Sequence, residues 1–237
     1  MNKGKKGLIF FLLIPAAGIL FLLNVNVTIR QGINGVVKDV RMPLYLKLLD
    51  FFDRHYNYLN LARAITHNAD SEMDRAFKLF SWTIANIRKV PEGFPVVDDH
   101  VWHIIVRGYG ASDQSQDVFT TLCNYSGLRS FFGLVYERPG AGKRKAFSFV
   151  KIDGDWRVFD AHAGVYFVDS RGKLSSISQI SSGDWQVKNT FGNKTRTDYE
   201  TYMANLEGIN DTGFRRANIQ SPVKRLLFEI KERLDLH

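Results

Sequence analysis

The chain has 237 residues, enough for one ordinary domain plus an appendage, and its 45% hydrophobic content with 18 phenylalanines excludes a disordered polymer. A single cysteine, Cys123, excludes an internal disulfide framework and every cysteine-rich zinc pattern. The net charge of +8 includes Lys3, Lys5 and Lys6; the rest is spread over Lys143 to Lys145, Arg215, Arg216, Lys224 and Arg225, without a nucleic-acid-binding signature. It reads as a solvated face or an affinity for an anionic surface or glycan, with no nucleic-acid partner.

Residues 7–23 carry no charge and stand behind the three lysines. The run has no polar face, unlike a buried helix, and no small-residue cleavage site follows it. It is read as an uncleaved signal-anchor that takes the lipid bilayer as partner, with the N-terminus cytoplasmic and the later chain extracytoplasmic. Asn26, Asn124, Asn193 and Asn210 begin N-x-S/T triplets, which matter only in a eukaryotic secretory pathway.

Residues 28–70 are predicted as a helical lead-in, with Pro43 in the first turn of a helix running through Leu44, Leu48, Leu49 and Phe52 towards Leu61. Ser71, with Asp74 three residues on, is the expected cap of the next helix, whose face is Met73, Ala76, Phe77, Phe80, Ile84 and Ile87. A short helix is expected over His100 to Val106. His100 and His103, beside Asp98 and Asp99, have a spacing that can hold a metal, but a helix cap and two ordinary histidines is the favoured reading; no metal and no cofactor is assigned.

The stretch Arg107-Gly108-Tyr109-Gly110-Ala111-Ser112-Asp113-Gln114 reads as an active-site loop with its nucleophile replaced. It opens a helix over Ser115 to Ser126, so Ser112 is placed where unpaired N–H groups and the helix dipole favour negative charge. A cysteine there would be held as a thiolate, whereas a serine needs a base beside it. Gly108 and Gly110 together are read as the mark of an open cleft.

Strands follow. Residues 130–136 are β-rich, and residues 139–142 make a turn. Residues 145–152 alternate, with Lys145, Phe147, Phe149 and Lys151 on one side and Ala146, Ser148, Val150 and Ile152 on the other. Asp153-Gly154 is predicted as a hairpin turn returning through Trp156 to Asp160. Another strand spans residues 164–168, and an amphipathic helix spans residues 222–236. Helices first and antiparallel strands after make the fold class α+β.

From about Asp74 to Phe167 the chain resembles the transglutaminase-like family of the papain-like cysteine-enzyme superfamily. The resemblance is carried by Phe80-Ser81-Trp82, Asn86-Ile87, Gly110-Ala111-Ser112-Asp113-Gln114, Gly127-Leu128, Lys145-Ala146-Phe147, the Asp153-Gly154 turn before Trp156, and Asp160. It implies a core of helices packed on an antiparallel sheet over residues 71–170, behind a cytoplasmic stub and anchor (1–27) and the lead-in (28–70). Residues 171–237 form a C-terminal extension. Matched residue by residue, the family's cysteine falls on Ser112, its histidine on Lys145 and its aspartate on Asp160. The resemblance further implies that the three converge and that Asp160 pairs with Lys145.

With two of three catalytic positions changed, the reading is a pseudoenzyme, a binding or scaffolding module whose cleft takes a protein or glycan partner. Envelope polysaccharide or secretion machinery is its setting by analogy. The alternative is a Ser-dependent amide or ester hydrolase or acyltransferase using Ser112 with Lys145 or with His162 as base. Asp160 beside Lys145 works against a lysine base, which must be neutral. His162 is weighed against an ordinary hairpin-end histidine, and Cys123 is read as core.

Overall fold

The computed structural model describes residues 3–98, 100–138, 142–192, 194–206 and 222–234, with side chains in the first helix from Leu13 onward. Asp99, Asn193, Asn210, Arg215, Arg216 and most of the expected 139–142 turn lie outside the described residues. Helix α1 (Lys3–Asn24) contains the apolar run. Among the described residues no helix is long and apolar enough to cross a membrane; the side chains of residues 7–12, within the expected anchor, lie outside that description.

The helical lead-in needs correction at its start. β1 (Asn26–Ile33) and β2 (Val36–Pro43) form an antiparallel hairpin, and the helix begins only at Leu44. Asn34 and Gly35 turn the hairpin with φ of 49° and 80°. Asparagine and glycine tolerate positive φ, and two such residues in succession match the twist of the flanking strands. Pro43 therefore ends a strand rather than occupying a helical turn. Helix α2 (Leu44–Thr66) starts beside the end of α1: the Leu44 N–H donates at 2.9 Å to the carbonyl of Val25, the residue that follows α1.

Helix α3 (Glu72–Asn86) starts at the expected cap: the Asp74 N–H donates to Ser71 Oγ at 3.0 Å. The Asp74 carboxylate accepts from the Asp70 N–H at 3.2 Å, one residue short of a reciprocal capping box. β3 (Arg88–Lys89) pairs in parallel with β5 (Tyr109–Gly110), and β4 (Val97–Asp98) joins the edge of β1. Between them lies α4 (Val101–Arg107), with His100 as its N-cap residue. Helix α5 (Ser112–Tyr125) follows.

The main sheet is an antiparallel meander of β6 (Ser130–Tyr136), β7 (Arg144–Ile152), β8 (Asp155–Asp160), β9 (Val165–Val168) and β10 (Gln186–Asn189). Asp153 and Gly154, both at positive φ, make the expected β7–β8 turn. The alternation read in β7 is the partition of two cores. Val150 and Ile152 join Leu79, Phe80, Val118, Phe119 and Phe159 beneath the helices. Phe147 and Phe149 face the other way, against Ile180, Trp185, Tyr199, Met203 and Leu206. The chain as far as Leu206, including α6 (Ile177–Ser181) and α7 (Glu200–Met203), thus closes the second face of the sheet rather than hanging from it. A separate helix spans Pro222–Arg233. The molecule is α+β, with the longer helices α3 and α5 on one face of an antiparallel sheet and the short α6 and α7 on the other.

Candidate functional site

The loop before α5 is shaped by packing. Gly108 ends α4 in the left-handed region at φ 74°, its N–H returning to the Ile104 carbonyl at 2.9 Å. At Gly110 a Cβ would stand 3.1 Å from Gln114 Cβ and 3.2 Å from Ile104 Cγ2, so the position is crowded. Helix capping and close approach explain both glycines, and neither is a mark of an open cleft.

Ser112 is the first residue of α5 and half-buried. The helix start is partly satisfied from within. Gln114 Oε1 accepts the Ala111 N–H at 3.0 Å, and Asp113 Oδ1 accepts the Gln114 N–H at 3.0 Å. One turn into the helix, on the face that Ser112 shares, Gln116 is fully buried. Its Nε2 donates to Asp160 Oδ1 at 3.0 Å, and its Oε1 accepts from Ser148 Oγ at 2.6 Å and the Ala161 N–H at 2.9 Å.

Asp160 is the hub. It ends β8 with no exposed surface, and both oxygens are taken. Oδ1 accepts from Gln116 and from the Ala163 N–H at 3.0 Å. Oδ2 accepts from Tyr199 Oη at 2.9 Å and lies 2.9 Å from Lys145 Nζ. The expected Lys145–Asp160 pair is therefore formed, and Lys145 Nζ also lies 5.0 Å from the centroid of the Tyr199 ring. Burial first, and then the Asp160 carboxylate, push the Tyr199 phenol far above its ordinary range, which keeps it a donor.

Lys145 is linked to α5 through Asp160, which pairs with it and accepts from Gln116 of that helix. Lys145 shares the strand face of Phe147, the face covered by Tyr199, whereas Ser148 faces α5. Among the described residues Ser112 makes no hydrogen bond or ion pair with Lys145 or Asp160. The residue that does meet the first turns of α5 is His162: its Nδ1 lies 3.1 Å from Ser115 Oγ.

Sequence reasoning missed Ser115, Gln116, Ser148 and Tyr199. Gln116 is four residues beyond Ser112 and could have been placed beneath it by helical spacing; Tyr199 carried no local signal. His100 and His103 have ring centroids 5.9 Å apart, and among the described residues no group of three His, Cys, Asp or Glu side chains could hold a metal. Cys123 is buried, with its thiol pushed well up by desolvation.

No family model matches the chain, and no curated protein is similar to it. Three solved structures are similar to it at low identity. One is described as a candidate cysteine protease from Cytophaga hutchinsonii, with 12% identity and a TM-score of 0.40, covering 61% of this chain and 52% of that one. A second, a candidate protease from Parabacteroides distasonis, has 14% identity and a TM-score of 0.39, covering 69% and 38%. The third, a TGase, has 13% identity and a TM-score of 0.36, covering 68% and 48%. The chain thus spans between 38% and 52% of the length of these structures.

Proposed function

We propose that the chain is a transglutaminase-like pseudoenzyme, anchored in a membrane through residues 7–23, whose extracytoplasmic domain binds or scaffolds a protein or glycan partner in envelope polysaccharide or secretion machinery. The observation that carries this reading is the engagement of Lys145. A lysine acts as a base only when neutral, and this one is paired with a buried carboxylate and lies over an aromatic ring. Ser112 then lacks its base from position 145, and a serine without a base is a poor nucleophile.

A serine-reactive fluorophosphonate probe tests this on folded protein. No labelling is expected at Ser112; labelling abolished by Ser112→Ala would establish a hydrolase or acyltransferase instead. That second reading draws support from the His162 contact with α5, since an imidazole could replace the lysine as base. The anchor is tested separately: full-length protein should remain in membranes after carbonate washing, and a mature N-terminus near Asn26 would overturn it.

A further inference from the structure

We propose that His162 is the acid–base group of this site, presenting Nε2 towards the side chain at position 112, and that Ser115 is the residue that positions it. The proposal rests on the second reading above, in which Ser112 at the start of α5 takes His162 rather than the committed Lys145 as its base, and it names the residue that positions that base.

Ser112 and Ser115 are three residues apart on one helix, so their Cβ atoms are neighbours at about 5–6 Å. Ser115 Oγ has two partners: it donates to the Ala111 carbonyl at 3.2 Å and lies 3.1 Å from His162 Nδ1. A hydroxyl carries one proton. With that proton directed at Ala111, the oxygen can only accept from Nδ1–H, and this tautomer leaves Nε2 bare. Ser115 has no exposed surface, so water does not compete for its hydroxyl. The His162 ring is half-buried, and Nε2 makes no hydrogen bond among the described residues.

The charges around the ring come from four elements. Asp160 at the end of β8 and Asp113 in the first turn of α5 favour the imidazolium, while Lys89 of β3 and Lys145 of β7 oppose it. Burial, the largest influence, also opposes it, so the pKa of His162 lies below its ordinary value. A neutral imidazole at neutral pH is the form that accepts a proton.

A cysteine at position 112 makes the transfer measurable. Its thiol proton passes to Nε2, giving thiolate and imidazolium. The thiolate then attacks iodoacetamide, the S–C bond forms as the C–I bond breaks, iodide leaves, and the imidazolium returns its proton to water. The experiment follows iodoacetamide alkylation of full-length Ser112→Cys against pH, with the wild-type chain as blank for buried Cys123. The expected midpoint lies below the ~8.5 of a free thiol. Adding His162→Gln should raise the midpoint by about one unit and slow alkylation near pH 6 roughly tenfold. Ser115→Ala should shift the midpoint the same way and move the His162 ring proton from Nδ1 to Nε2, read from ring ¹⁵N shifts, which a packing role would leave alone.

A lowered midpoint unchanged by His162→Gln would overturn the proposal while leaving the site at α5 intact. A folded Ser112→Cys protein that is not alkylated would overturn both. If His162→Gln does not fold, the wild-type ring spectrum decides: an unprotonated Nδ1 contradicts the proposed role of Ser115.

Discussion

Asp160 separates two half-sites that look alike in the sequence and differ in the fold. On the Oδ2 side, Lys145 and Tyr199 converge with the C-terminal segment packed over them. On the Oδ1 side, Gln116 fixes the carboxylate to α5, and His162, two residues further along, reaches the same helix with one nitrogen still without a partner among the described residues. A charged residue at a family's catalytic position is thus not automatically poised for chemistry. What matters is which face of the strand it leaves and how many partners it already has.

The sharpest way to break this comparison is to remove the hub. Asp160→Asn keeps the shape but leaves Lys145 without its counter-charge; truncating one partner of a buried pair costs about 3–5 kcal/mol. The low end of that range is expected in denaturant unfolding, because the Lys145 side chain is 26% exposed and water can reach it. A loss below about 1 kcal/mol, the scale of an ordinary surface pair, would mean that Asp160 is not the hub.

Tyr199→Phe should cost about 1.5–3 kcal/mol, the usual worth of a hydrogen bond to a charged group. It should also speed amide exchange in the Arg196 to Leu206 segment ahead of the rest of the domain. Uniform change throughout would argue that the phenol does not pin that segment.

The Oδ1 side is expected to respond to pH. Because the pKa of His162 is lowered on folding, the unfolded chain binds a proton first as pH falls. Its contribution is therefore present above about 6.5, the ordinary histidine value, and is lost on acidification below it. Denaturant midpoints should fall between neutral and mildly acidic pH, and His162→Gln should flatten part of that slope; an unchanged slope would contradict the half-buried, neutral ring. The smallest expected effect lies far from the site. Ser71→Ala should cost about 1 kcal/mol through the lost cap at α3 and leave both half-sites unaltered.

Features written in neighbouring residues were legible in the sequence. Ser71 and Asp74 gave the start of α3, and Asp153-Gly154 gave a hairpin. The β7 alternation gave two faces, although the burial of both became clear only once residues 177–206 were seen to cover the second. Asn34-Gly35 carries the same signal as Asp153-Gly154, and the hairpin it turns replaces the expected helical start of the lead-in, while the helix after Pro43 lies where its leucines place it. The Lys145–Asp160 pair was legible because antiparallel strands joined by a tight turn bring such positions together. Tyr199 lies 39 residues beyond Asp160 and Ser115 lies 47 before His162, and no spacing rule links residues so far apart. The site's second layer was therefore invisible until the chain was folded.

Competitive chemical labelling of the two half-sites in one folded sample tests the central claim most directly. A trace amine acylating reagent, quantified residue by residue, should modify Lys145 far more slowly than Lys151 at the other end of β7 or Lys188 on the edge strand β10. Asp160→Asn should bring Lys145 up towards their rate, while diethyl pyrocarbonate should modify His162 in the wild-type chain. If Lys145 acylates as fast as Lys151 in the wild type, or His162 resists modification at neutral pH, the division of the site across Asp160 is contradicted.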